Sequence, residues 1–217
     1  MCGRYLYNVD EQELRNILEA IERNISNERN NPKQSQSISF TGGEIFPGDS
    51  VPVITAHETR FMIWGYPSLA EDRRPHINAR SETVATKRTF SAAMAARRCI
   101  IPASSYYEWK TLGKKQKQKY EFKLPNTEIM YIAGIYSLDY QFAILTREAT
   151  TSISEIHNRM PVIIPDNLTE MWLKGCDDVL QEATTNLIFE PVGVSTAPAS
   201  SPPSLEDEHP TQLSLFS

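Results

Sequence analysis

Cysteine is scarce in this chain: there are three in 217 residues, at positions 2, 99 and 176. An odd number at wide spacing excludes a disulfide framework, and the lack of any C-x-x-C pair removes the common thiolate zinc site. Long apolar runs are missing too, since nothing approaches the ~20 residues that a membrane helix needs. No secretory leader is expected, because Asp10, Glu11 and Glu13 stand where its apolar stretch would be. These absences predict a cytoplasmic, monomeric protein with no metal, no cofactor and no membrane partner. A basic excess is also lacking, and the net charge of −5 argues on average against a nucleic-acid partner. The distribution argues the other way. Twelve Lys and Arg lie between Arg73 and Lys119 against two acids, Glu82 and Glu108, so this segment carries +10 while the rest of the chain is acidic. Such segregation builds a local positive face on an acidic protein.

What is present begins at the second residue, in Met1-Cys2-Gly3-Arg4. A side chain as small as cysteine permits removal of the preceding methionine. Cys2 would then carry a free α-amine and a thiol on adjacent carbons. Such a 1,2-aminothiol condenses with an aldehyde to an imine, and its sulfur then closes a five-membered thiazolidine. An α-amine titrates near ~8 and a free thiol near ~8.5, so a minority of each is nucleophilic at neutral pH.

The organisation reads as α+β: a single domain on a curled, barrel-like antiparallel sheet with peripheral helices. Asp10–Glu13 resembles a capping box, and Leu14, Ile17, Leu18 and Ile21 follow at helical spacing, which predicts a helix over 10–23. Residues 26–43 are polar and predict a loop. Strands are expected at Val51–Thr55, Arg60–Trp64, Cys99–Ile101, Tyr106–Lys110, Lys119–Leu124, Ile129–Tyr136, Gln141–Thr146 and Val162–Ile164. Leu187–Val194 is expected to close the sheet. Helical segments are expected at Thr89–Arg98, Ser152–Ile156 and Asn167–Leu173. The domain is drawn over 2–196, with 197–217 as a disordered tail rich in Pro, Ser and acid.

Three segments place polar groups in unusual settings. Ile77-Asn78-Ala79-Arg80-Ser81-Glu82 offers an amide able to donate and accept, plus a guanidinium suited to phosphate. An Asn in a turn beside a surface ion pair of Arg80 with Glu82 is the plainer reading. Tyr106-Tyr107-Glu108-Trp109 sets a carboxyl in an aromatic strand. If that face is buried, its pKa rises and it can give and retake a proton; simple alternation would turn it to solvent. His157-Asn158-Arg159-Met160-Pro161 supplies the side chain best suited to proton transfer at neutral pH.

The order Cys2-Gly3-Arg4, Trp64-Gly65, Asn78-Ala79-Arg80, Tyr107-Glu108-Trp109-Lys110 and His157-x-Arg159-Met160-Pro161 resembles the SOS response-associated peptidase family, the abasic-site processing proteins. The resemblance spans about residues 2–195. It implies a sensor of abasic sites in single-stranded DNA whose Cys2 forms a thiazolidine with the ring-opened sugar, shielding the lesion as a protein–DNA crosslink. It further implies that Asn78 positions the Cys2 amine and the sugar oxygen, that Glu108 is acid and base, and that His157 shuttles protons. Arg4, Arg80, Arg88 and Arg159 would hold phosphates, and Trp64 would belong to the DNA-binding surface. Leu69 stands where many members carry a Trp and would act as a smaller apolar wedge. Glu44-Ile45-Phe46-Pro47 replaces the family's Asn-x-Ala-Pro. The terminal Gln212-Leu213-Ser214-Leu215-Phe216 resembles the bacterial sliding-clamp binding peptide, with Gln212, Leu213, Leu215 and Phe216 as anchors on a flexible leash. A clamp partner would place the protein at the replicating nucleoid.

Two other functions use the same residues. A cysteine peptidase, including one that removes its own Met1, would use the Cys2 thiol with His157 as base and need no free amine. A non-catalytic binder of single-stranded DNA would rely on the arginines alone.

Overall fold

The computed structural model describes residues 2–8, 19, 40, 42–69, 74–113 and 116–193. The helix expected over 10–23 lies outside these residues except for Glu19, which is helical. Most of the 26–43 loop and all of the 197–217 tail lie outside them as well.

Two sheets form the framework. The larger closes on itself through β3 (Ser50–Thr55), β4 (Thr59–Trp64), β6 (Arg98–Ala103), β9 (Met130–Tyr136) and β10 (Gln141–Glu148). β3 pairs antiparallel with β4 and β6, and β9 pairs antiparallel with β6 and β10. The ring is completed by a parallel pairing of β10 with β4, Gln141 opposite Ile63 and Phe142 opposite Trp64. The barrel is therefore mixed rather than wholly antiparallel, a difference from expectation that follows from the long connection between β4 and β10. β11 (Arg159–Pro161) and β12 (Ile163–Ile164) pair with β10 and β9. The second sheet is antiparallel, in the order β13 (Ile188–Pro191), β8 (Lys117–Lys123), β7 (Ser105–Thr111), β1 (Tyr5–Tyr7), β2 (Gly43–Ile45). β13 extends one edge of this sheet and closes nothing, which corrects the closing role expected of Leu187–Val194.

Barrel strands β6, β9 and β10 are buried on both faces, which is why they read as near-continuous apolar runs. One face, with Val51, Val53, Met62, Ile101 and Phe142, packs against Tyr5, Tyr106 and Phe122 of the second sheet. The other, with Ile100, Ile135 and Leu145, is covered by α1 (Ser91–Ala96) and α3 (Thr169–Leu173). α2 (Thr151–Ser154) precedes the β11 segment. Gly134 lets the strands approach closely, since a Cβ there would come within 2.4 Å of Ile101 Cδ1. The helix expected to run to Arg98 stops at Ala96, because Arg98 opens β6 and turns its buried guanidinium back onto Met94 O and out to Asp177.

β4 ends where the site begins. Gly65, at φ +150°, donates its N–H to Phe142 O at 2.9 Å and turns the chain off β10. After a bridge between Tyr66 and His76 the chain rejoins β10 as β5 (Asn78–Arg80), parallel to it, with Asn78 opposite Ile144. Trp64 secures this return by donating Nε1–H to Ile77 O at 2.9 Å.

Candidate active site

Cys2 is fully buried, in the core between the two sheets. Its thiol lies 3.8 Å from Arg4 O. The same carbonyl accepts the Tyr107 N–H at 2.9 Å, so the β1–β7 pairing extends to the N-terminal residues and anchors Cys2. Burial pushes the Cys2 thiol well above its ordinary pKa, and the negative charge of Glu108 pushes the same way. The sulfur is therefore held neutral until a proton acceptor is presented to it.

Asn78 reaches Cys2 from β5, donating Nδ2–H to Cys2 O at 2.8 Å. Its Oδ1 is buried and has no hydrogen-bond partner. An orphan acceptor beside Cys2 is suited to an ammonium or hydroxyl donor, because an unpaired buried carbonyl costs about 1–3 kcal/mol. Glu108, on β7, points to the inner face and is 3 % exposed. Burial raises its carboxyl pKa above the usual range, opposed by the charge of His157. His157 Nδ1 lies 3.8 Å from Glu108 Oε1, with the Arg159 N–H at 3.1 Å and Arg159 O at 3.2 Å from the same nitrogen. Glu108 and His157 line an open depression of about 430 Å³ together with Trp109, Thr111 and Lys117.

Cys2, Asn78, Glu108 and His157 thus come from four separate chain segments to one region. The expected DNA contacts divide. Arg80 and Arg88 are exposed, with Arg74 and Lys87 alongside them in the chain, and Leu69 is 66 % exposed. Trp64 is 1 % exposed, packed against Tyr5 and stacked on Phe142, so it cannot meet a base; its role is in the core. Arg159 is also placed differently from expectation. It is 8 % exposed and grips Glu82 with both terminal nitrogens at 2.8 and 2.9 Å, while Nη2 reaches Thr146 O at 2.6 Å. That guanidinium holds the Glu82 carboxyl below its ordinary pKa. The Glu82 partner is Arg159 rather than neighbouring Arg80. Arg4 is engaged by Glu44 at 3.2 Å.

Two site features escaped the sequence. The hydroxyls of Tyr5 and Tyr106 are buried without hydrogen-bond partners, and burial raises both phenols well above their ordinary pKa. Their signal was the alternation of β1 and β7, which sends Tyr5, Tyr106 and Glu108 to one face. Among the described residues no group of three or more His, Cys, Asp or Glu could hold a metal, and no helix is long and apolar enough to cross a membrane.

A mixed barrel packed on a second sheet, with a cysteine at residue 2 buried beside an amide and a carboxyl, defines a thiol-bearing α+β protein. Residues 1–199 match the SOS response associated peptidase (SRAP) family, and the chain belongs to it. Among its relatives, the abasic site processing protein YobE of Bacillus subtilis is 38 % identical over 122 residues, 51 % of this chain and 56 % of that protein. The abasic site processing protein YoqW of the same organism is 33 % identical over 167 residues, covering 67 % and 75 %. YedK of Escherichia coli, also named an abasic site processing protein, is 27 % identical over 186 residues, 80 % of each chain. The match thus spans little more than half the length of YobE but three quarters or more of YoqW and YedK. A protein of Bacteroides thetaiotaomicron shares the fold at TM-score 0.68 and 20 % identity, covering 88 % of this chain and 91 % of that one. A phage-related protein of Bordetella bronchiseptica does so at TM-score 0.67 and 21 % identity, covering 89 % and 95 %.

Proposed function

We propose that this protein processes abasic sites in single-stranded DNA by capturing the ring-opened sugar on Cys2, once Met1 is removed. The Cys2 amine adds to the C1′ aldehyde and water leaves, giving an imine. The sulfur then adds to the imine carbon and the S–H proton passes to nitrogen, closing the thiazolidine with a net loss of one water. Glu108 serves both halves. Raised by burial, it protonates the departing hydroxyl and afterwards accepts the thiol proton. The orphan Oδ1 of Asn78 takes a hydrogen bond from the amine or the sugar hydroxyl. His157, at the exposed side of Glu108, exchanges protons with solvent and assists reversal. Arg80, Arg88 and Arg4 hold phosphates, a source of affinity without sequence choice, and Leu69 supplies apolar contact to the strand.

The observation that carries this reading is Asn78 bound to Cys2 O at 2.8 Å, with a buried carboxyl whose charge acts on the thiol. The same electrostatics weigh against a peptidase. A thiolate nucleophile needs its pKa lowered by a nearby cation, whereas here burial and Glu108 both raise it. An amine that attacks first and a thiol that follows have no such need. The test is intact-protein mass spectrometry after incubation with a single-stranded oligonucleotide bearing one abasic site. A heat-stable adduct lacking Met1, equal to protein plus oligonucleotide less one water, is expected, and Cys2→Ala or an undamaged oligonucleotide should give none. An adduct that survives Cys2→Ala would refute the chemistry. Residues 212–216 are proposed to tether the protein to the sliding clamp; unchanged clamp binding after their deletion would remove that part.

A further inference from the structure

The second sheet has an outer face of which the chemistry above uses only Arg4. Register decides which side chains reach it. Leu6 stands opposite both Glu44 and Ser105, and Trp109 stands opposite Lys119. Glu44, Tyr107, Trp109 and Lys119 therefore emerge together, away from the Tyr106 and Glu108 side. Arg4 joins them, its guanidinium 4.4 Å from the Phe46 ring centre and 5.0 Å from that of Trp109. Lys119 Nζ sits 3.7 Å over Tyr107. Both cations converge on a single atom: Glu44 Oε1 lies 3.2 Å from Arg4 Nη1 and 2.7 Å from Lys119 Nζ.

An anionic oxygen shared by an arginine and a lysine above aromatic rings is the arrangement a phosphodiester takes on a single-strand binding surface. Phe46 leaves 42 % of its surface to solvent beside it, enough for a base to lie against. We propose that this cluster is a DNA-backbone subsite that the protein keeps filled with its own carboxylate. Glu44 occupies the place of a phosphate, and a single strand binds here by exchanging a phosphodiester for it, with a base resting on Phe46. The proposal rests on single-stranded DNA being the ligand of the active site. Arg4 is two residues from Cys2, which keeps the subsite within about 7 Å of Cys2 along the backbone. The exchange is feasible because all three side chains are partly exposed, and ion pairs of that kind are worth only about 0.2–1 kcal/mol each. Its consequence is selectivity: Glu44 weakens the hold on undamaged strands, which then leave unless the covalent bond forms.

The test is fluorescence anisotropy with a labelled, undamaged single-stranded oligonucleotide across a salt series. The wild type is compared with Glu44→Gln, Glu190→Gln and the double variant Glu44→Gln/Lys119→Gln. Glu190 is an acid on β13 that pairs with Lys123, so its neutralisation changes net charge equally without touching Arg4. Glu44→Gln should bind about fivefold to tenfold more tightly at low salt. Its log–log salt slope should steepen by about 0.7, the increment for one more phosphate on a single strand. Glu190→Gln should stay near wild type, and the double variant should lose the gain. Equal effects of Glu44→Gln and Glu190→Gln, no effect of either, or a gain that persists in the double variant overturns the subsite. Crosslinking of an abasic oligonucleotide by the wild type, run in parallel, reports on the active site separately. An adduct without a Glu44 effect overturns the subsite alone, and a Glu44 effect without an adduct supports the subsite and overturns the crosslink. No binding by any variant together with no adduct overturns both.

Discussion

Arg159→Met separates a structural arginine from a phosphate ligand. The guanidinium makes two contacts to Glu82 and one to the buried Thr146 carbonyl. The Glu82 side chain is 43 % exposed, so water screens the pair and about 0.5–1 kcal/mol is lost with it. The bond to Thr146 O is charge-assisted and buried, worth about 1.5 kcal/mol, and its loss is softened because Ser81 N–H still serves that carbonyl at 2.8 Å. Methionine replaces the apolar stem at little packing cost. The sum is about 2 kcal/mol, which for a domain of this size lowers Tm by about 4–8 °C. Thermal unfolding followed by circular dichroism measures it. Anisotropy with single-stranded DNA below the transition should show an unchanged salt slope, since Arg159 reaches no phosphate. A Tm within 1 °C of wild type (on the order of the assay's resolution) together with a slope shallower by about 0.7 would refute the argument and restore Arg159 to the DNA surface.

Glu108→Gln should be more stable than wild type at pH 8. The folded-state pKa of Glu108 is raised by burial, so its favourable contribution exists below the ordinary value of 4.5 and is lost as pH rises through the folded value. The Tm difference should therefore close as pH falls toward 4.5, while crosslinking at neutral pH is lost; a difference independent of pH would contradict the buried carboxyl. Trp64→Phe should cost about 2 kcal/mol by removing one of the two hydrogen bonds to Ile77 O, which keeps the Ile144 N–H at 3.1 Å, and by leaving a void beside Phe142. Its affinity for undamaged DNA should not change, and a weakened affinity at full stability would return Trp64 to the binding surface. Asn78→Ala should slow crosslinking by about 10²-fold, the usual loss for one positioned donor or acceptor at a reacting centre. Binding of undamaged DNA should be retained, and parallel loss of both would reduce Asn78 to a structural role.

Much of the fold was legible because each barrel strand is a short apolar run bounded by turn residues, and such runs survive reading one at a time. The limits of β3, β4 and β6 to β10 fell within one or two residues of expectation for that reason, whereas β5 was not expected. Closure was not legible. It depends on β10 meeting β4 in parallel across a connection of more than seventy residues, and no local pattern encodes which distant edge a strand will find. The candidate site divides along the same line. Cys2, Asn78, Glu108 and His157 stood out as residue types, since a thiol beside an amine, an amide, a carboxyl among aromatics and an imidazole each announce a chemistry by identity. Whether Glu108 faced the core was undecided until the register of β7 set it beside Tyr106.

The sequence by itself determined which reactive groups the molecule owns and that its basic residues are segregated, because both are properties of composition and order. The tertiary structure alone decided which of those charges are free. Arg159 is neutralised by Glu82, 77 positions away, Arg4 and Lys119 by Glu44, and Arg98 by Asp177, while Arg80 and Arg88 remain exposed. A side chain's availability is fixed by the partner that reaches it through space, and the energy of that meeting depends on burial and distance, neither of which is written along the chain.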